Sequence, residues 1–87
     1  MPNADAPTVE RPRATLDTLK PGEAGVILQV NGDEMLRLRL TEMGVLRGED
    51  VRVLRFAPLG DPMEILLGGY HLSLRKADAR NILVSRT

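Results

Sequence analysis

The segment Arg39-Leu40-Thr41-Glu42-Met43-Gly44-Val45-Leu46-Arg47-Gly48 reads as the closing turns of an amphipathic helix, stopped by one glycine and turned by a second. Most of the apolar runs on either side of it read as β-strand. A lone helix entered from one short strand and leaving directly into the next confines the chain to a small, mainly β fold with one helical insertion. The stretch Leu36-Arg37-Leu38-Arg39-Leu40 also alternates as a half-buried strand does. Asp33 placed to cap the first turn, the helix formers from Glu34 to Arg37, and Gly44 just past the last periodic residue decide for a helix over about 34–43. At helical spacing Leu36, Leu40 and Met43 share a face, while Leu38 falls away from it and is expected to be exposed. Gly44 is expected at positive φ, with asparagine tolerated there better than valine.

With 87 residues there is room for one domain. Pro2, Pro7 and Pro12 stand among polar and charged residues, so residues 1–15 are expected to form a mobile tail ahead of a folded unit over 16–87. Thr15 is placed to cap a single turn that carries Leu16 and Leu19 on one side, ended by Pro21-Gly22. Ala24 to Val30 is a strand with Val26, Leu28 and Val30 on one face. In Asp50 to Phe56, Val51 and Val53 share one face and Leu54 and Phe56 the other, so that strand is covered on both sides or bulged near Leu54. Residues 57–62 are a loop. Gly68-Gly69 joins Met63–Leu67 to Tyr70–Leu74 as a two-residue hairpin, pairing Leu67 with Tyr70, Ile65 with Leu72 and Met63 with Leu74 on the inner side. Glu64, Leu66, His71 and Ser73 then face outward. Lys76 to Ala79 is a short helical turn, and Ile82 and Val84 lie on a closing strand. About five strands, one helix and tight turns at Gly44, Gly48, Gly68 and Gly69 make a small, partly open barrel, with Leu40, Met43, Ile65, Leu72 and Ile82 in a common core.

The absence of cysteine removes disulfides, thiolate metal sites and cysteine nucleophiles together. Apolar runs are too short to span a bilayer and no signal pattern opens the chain, which points to the cytosol. Twelve basic residues balance 12 acidic ones, and one Phe and one Tyr are the whole aromatic supply. Nucleic acid is therefore not an expected partner, nor is a proline-rich peptide in an aromatic groove. No nucleophile–base arrangement and no phosphate loop occurs, so neither catalysis nor a small-molecule substrate is expected. His71 and Glu64 are diagonal neighbours on the outer face of the hairpin and could share a divalent transition metal such as ferrous iron or zinc. More donors would then have to come from Asp61, the tail or a second molecule; the alternative is a plain surface pair. No cofactor is required. Met43 and Met63 point inward and fill core. Arginine outnumbers lysine ten to two, and Arg37, Arg47, Arg52 and Arg55 cluster near the helix. They suit acidic groups on a partner, or a salt-bridged surface with Glu42 three residues past Arg39 and Glu49 and Asp50 close by.

Four pieces, in this order and spacing, resemble the FeoA family: Leu16-x-x-Leu19-x-Pro21-Gly22-Glu23, Arg39-Leu40-x-Glu42-Met43-Gly44-x-x-x-Gly48, Pro58-Leu59-Gly60-Asp61-Pro62, and Leu74-Arg75-x-x-x-Ala79-x-x-Ile82. The resemblance covers residues 16–85. It implies an SH3-like barrel and a cytoplasmic accessory role in ferrous iron uptake, assembling with or regulating FeoB, a membrane permease with a cytoplasmic GTPase domain, and so recruited to the inner face of the membrane. An SH3-like domain of a metal-dependent repressor of the diphtheria toxin type, and a metal-binding carrier, are the alternatives. The partner surface is expected on the helix at Arg37, Leu38, Thr41 and Glu42, where an apolar anchor has a polar rim; a second copy of the chain is the other candidate occupant.

Overall fold

The computed structural model describes residues 11–87. Six strands form one antiparallel sheet: β1 (Arg13–Thr15), β2 (Ala24–Val30), β3 (Asp50–Phe56), β4 (Met63–Leu67), β5 (Tyr70–Leu74) and β6 (Ile82–Arg86). Their order is β1-β6-β2-β3-β4-β5. Helix α1 (Glu34–Glu42) joins β2 to β3, and the short α2 (Lys76–Ala79) joins β5 to β6. The core lies on one side of this sheet and is made of Leu16, Leu19, Ile27, Leu40, Val45, Val51, Val53, Met63, Ile65, Leu67, Leu74, Ala79, Ile82 and Val84. Of the expected core residues, Leu40, Ile65 and Ile82 are fully buried, while Met43 and Leu72 are half-buried against them.

The hairpin register is the expected one, with Leu67 opposite Tyr70, Ile65 opposite Leu72 and Met63 opposite Leu74. Strand β3 is bulged at Leu54, where its register to β4 shifts between Val53 and Arg55. The bulge lets Val51, Val53 and Phe56 all address the core in spite of the odd spacing. Strand β2 differs from the expectation. Its register to β6 shifts between Ile27 and Gln29, so Ile27 lies opposite the buried Val84 and Val30 opposite the buried Ile82. The extra residue, Leu28, changes the parity of the strand: Ile27 and Val30 face inward, and Val26 does not share the face of Val30.

The chain also orders earlier than Leu16. Arg13, Ala14 and Thr15 pair with Ser85, Val84 and Leu83, so these three residues belong to the sheet and not to a tail; residues 1–10 lie outside the described residues. Thr15 does not cap the following turn with its side chain; its hydroxyl donates to the Asp17 carboxylate instead. Leu16 and Leu19 are nonetheless both buried, as their spacing requires.

Helix α1 begins at Asp33, whose carboxylate accepts the Leu36 N–H at 2.8 Å, and ends in a Schellman motif. The Val45 N–H donates to Leu40 O at 2.9 Å, the Gly44 N–H donates to Thr41 O at 3.0 Å, and Gly44 sits at φ +94°. Val45 thereby drops into the core beside Leu40, the apolar contact this motif favours. Gly48, Gly68 and Gly69 also lie at positive φ.

Candidate functional site: the outer face of α1 and the β4–β5 donors

Leu40 is the single fully buried residue of α1, so most of the helix surface is left to solvent. Leu38 is 59% exposed and Met35 77% exposed. Three residues apart, these two lie on the side opposite Leu40. Arg37, Thr41 and Glu42 are exposed around them, which gives an apolar pair with a polar rim at the place expected. The helical phase that singles out Leu38 does not by itself mark Met35, whose signal in the sequence is its position i−3 to Leu38. Leu46, 45% exposed just beyond Gly44, adds a further apolar side chain after the helix.

The hairpin tip clasps the end of this helix. The Tyr70 hydroxyl donates to Met43 O at 2.7 Å, bringing a free carbonyl of the last helical turn a partner from β5. This approach depends on Gly44, because a Cβ there would overlap the Tyr70 hydroxyl. Tyr70 pairs with Leu67 as expected but remains 48% exposed, since its ring reaches along the surface to α1 and does not enter the core.

The arginines near the helix divide. Arg39 approaches Asp78 at 3.6 Å, reaching α2 and not Glu42. Arg52 donates to Gly22 O at 2.9 Å, and Arg55 pairs with Glu64 at 3.0 Å. Arg37 and Arg47 have no ion-pair partner among the described residues. Such exposed pairs contribute little each to stability, and Arg37 is left exposed beside Leu38.

Glu64 and His71 fall on neighbouring strands, β4 and β5. Ser73 opposes Glu64 and His71 opposes Leu66 on the outer face, so Glu64 and His71 sit on a diagonal. The hydrogen bond from Arg55 holds the Glu64 carboxyl below its ordinary value; partial burial opposes this, and the charges of Arg55 and His71 add to it. Asp61 does not join them. Its carboxylate accepts the Lys76 N–H at 3.0 Å, and the Lys76 ammonium lies 4.1 Å from the Phe56 ring centroid, so Asp61 ties the 57–62 loop to α2. Among the described residues no three His, Cys, Asp or Glu side chains group as a metal cage.

A curled, antiparallel six-stranded sheet with one helix inserted after its second strand and a short helical turn before its last is the SH3-like class of small β domain. Within that class the chain belongs to the FeoA family, whose domain description matches residues 14–86. A Fe(2+) transport protein A/Fe(2+) transporter FeoB fusion protein of Porphyromonas gingivalis is 39% identical over 69 residues, which cover 79% of this chain and 8% of the fusion. The solution structure of the FeoA protein from Chlorobium tepidum is 38% identical, with a TM-score of 0.77 over 84% of this chain and 70% of that one. Stenotrophomonas maltophilia FeoA, solved in complex with zinc and described as a procaryotic SH3 domain protein, is 27% identical, with a TM-score of 0.72 over 85% of this chain and 95% of that one. A manganese-dependent transcriptional repressor reaches a TM-score of 0.80 at 18% identity, over 99% of this chain and 48% of that one. That last likeness is one of fold alone.

Proposed function

We propose that this chain is a non-catalytic accessory domain of ferrous iron uptake that docks on an FeoB-type membrane GTPase permease from the cytoplasmic side, using the outer face of α1. The observation that carries this reading is the joining of a homologous unit to an FeoB transporter in one polypeptide. A domain that works against a transporter needs a surface its own fold does not consume. The exposed Met35 and Leu38, rimmed by Arg37, Thr41 and Glu42, are such a surface. No helix among the described residues is long and apolar enough to cross a membrane.

The experiment is co-purification of the full chain with membranes carrying the cognate permease, comparing the native protein with Leu38→Asp. Leu38 is exposed, so the variant should keep its melting temperature within a few degrees. Loss of at least ~10-fold in association, with loss of iron uptake in cells, is the expected outcome. Undiminished association would remove the α1 face from the interface.

A further inference from the structure

The strand order leaves β1 and β5 as the edges of the sheet. Edge β1 is blunted, being three residues long and preceded by Pro12. Edge β5 lacks such a break: Tyr70–Leu74 holds no proline and no lysine, and its register to β4 runs without a bulge. The two-residue turn makes Leu67 and Tyr70 the first hydrogen-bonded pair, so Tyr70, Leu72 and Leu74 direct their backbone groups toward β4. The N–H and C=O groups of His71 and Ser73 point to the open side, and among the described residues no backbone group meets them there.

This edge is complementary to itself. With antiparallel pairing about a two-fold axis at Leu72, His71 of each copy lies opposite Ser73 of the other, and both pairs exchange their N–H and C=O groups. Leu72, half-buried in one copy, meets Leu72 of the second copy in the close, non-hydrogen-bonded position, where its exposed part is covered. Registers centred on His71 or on Ser73 lose this arrangement, and the former sets two imidazoles directly opposite each other.

The same register acts on the outer face. Reading across the strands gives Glu64, Ser73 and His71 of the second copy, with the first copy's own His71 on the diagonal. Strands stand about 4.8 Å apart and same-face neighbours about 6.8 Å apart along a strand. Glu64 and the two His71 side chains therefore surround a point above the small Ser73, within side-chain reach of it; the equivalent point in the second copy uses the same two imidazoles, so only one of the two can be filled. A single copy supplies only two of these donors. We propose that two copies of this chain pair antiparallel through β5, and that the pair binds one divalent transition-metal ion between both His71 imidazoles and a Glu64 carboxylate.

Two imidazoles and a carboxylate suit zinc or ferrous iron, with a further position left for water. Arg55 engages Oε2 of Glu64, which leaves Oε1 for the metal and fixes the carboxylate as an outer hydrogen-bond partner does. Without the second copy the site is incomplete, so occupancy depends on protein concentration as well as on metal.

Zinc chloride is the probe, since zinc does not change oxidation state. Titrated into the full chain and followed by light scattering and calorimetry, it should double the mass from 9.6 kDa, at one zinc for every two chains. His71→Ala should abolish the doubling. Ser73→Arg keeps every donor but sets a bulky cation at the centre of the site, and Ser73→Pro keeps the donors and removes one edge N–H. Each should lower zinc affinity by at least ~10-fold. Wild-type affinity in folded Ser73→Arg, binding of one zinc per chain without a mass change, a doubling that survives His71→Ala, or no zinc binding at all would each overturn the proposal. Should Ser73→Pro fail to fold, Ser73→Arg decides. No permease enters these measurements, so their outcome is separate from that of the docking experiment.

Discussion

Gly44 is held by two constraints at once, its φ of +94° and the Tyr70 hydroxyl that any Cβ would meet. The first was legible, because a glycine just past the last periodic residue of a helix marks the C′ position. The second was not. It comes from the hydrogen bond of Tyr70 to Met43 O, between residues 27 apart in sequence, and only the curling of the sheet brings them together. The difference changes what substitution should do: Gly44→Asn and Gly44→Val both add a Cβ that displaces the Tyr70 hydroxyl, so both should cost more than backbone preference alone predicts, with asparagine still the milder. In a Tyr70→Phe background, which lacks the hydroxyl, each Gly44 substitution should cost less in urea melts than it does in the native protein, with asparagine better than valine by ~1 kcal/mol in both backgrounds. At Leu40, fully buried at the helix–sheet contact, Leu40→Ala should lose ~2–5 kcal/mol by the same measurement. For Glu64 the sign follows from its lowered pKa. Its contribution to stability is complete above the ordinary carboxylate value and fades as pH falls through the lowered one. Carbon-detected NMR titration should find its midpoint below the ordinary value, moving upward in Arg55→Ala.

Among the elements, those with a local signal were legible. The hairpin was read residue for residue because a two-residue Gly68-Gly69 turn leaves one register for the strands it joins. The bulge in β3 announced itself through apolar residues that change face at Leu54. In β2 the run Val26-Ile27-Leu28 is apolar at every position, which hides parity, so the equivalent bulge left no trace in the sequence. Strand β1 was missed for another reason: Arg13-Ala14-Thr15 has one apolar residue and follows Pro12, and its extended state comes from β6, not from its own preference. If that pairing matters to the fold, Ala14→Asp, which sets a charge against the core beside Val84, should destabilise the protein by ~1–3 kcal/mol. The exposed side of α1 was legible at Leu38 from helical phase. Met35 is harder to read because it stands in the first turn, ahead of the run that defines the apolar face.

At the scale of the molecule, an SH3-like sheet with an inserted helix could be read because the turn glycines, the helix stop and the hairpin agree with one another. Glu64 and His71 could be named as candidate donors, but the pairing proposed to complete them could not be read, because no sequence pattern states which edge of a sheet will stay open. The two ends of the described chain are also neighbours: Arg13 pairs with Ser85, and the Arg86 N–H donates to Pro12 O at 2.8 Å. The polypeptide thus enters and leaves the domain at one corner. Joining Thr87 to Pro12 through a short Gly-Ser linker and opening the chain at Leu59, 97% exposed on its loop, should give a circular permutant with native circular dichroism and a cooperative melt. Evolution can use the same corner. A tether attached at either end starts from nearly the same point, so the domain can hang as a pendant from a larger polypeptide in either order. A short tether of this kind raises the local concentration of a weakly binding neighbour to the millimolar range, without any new contact.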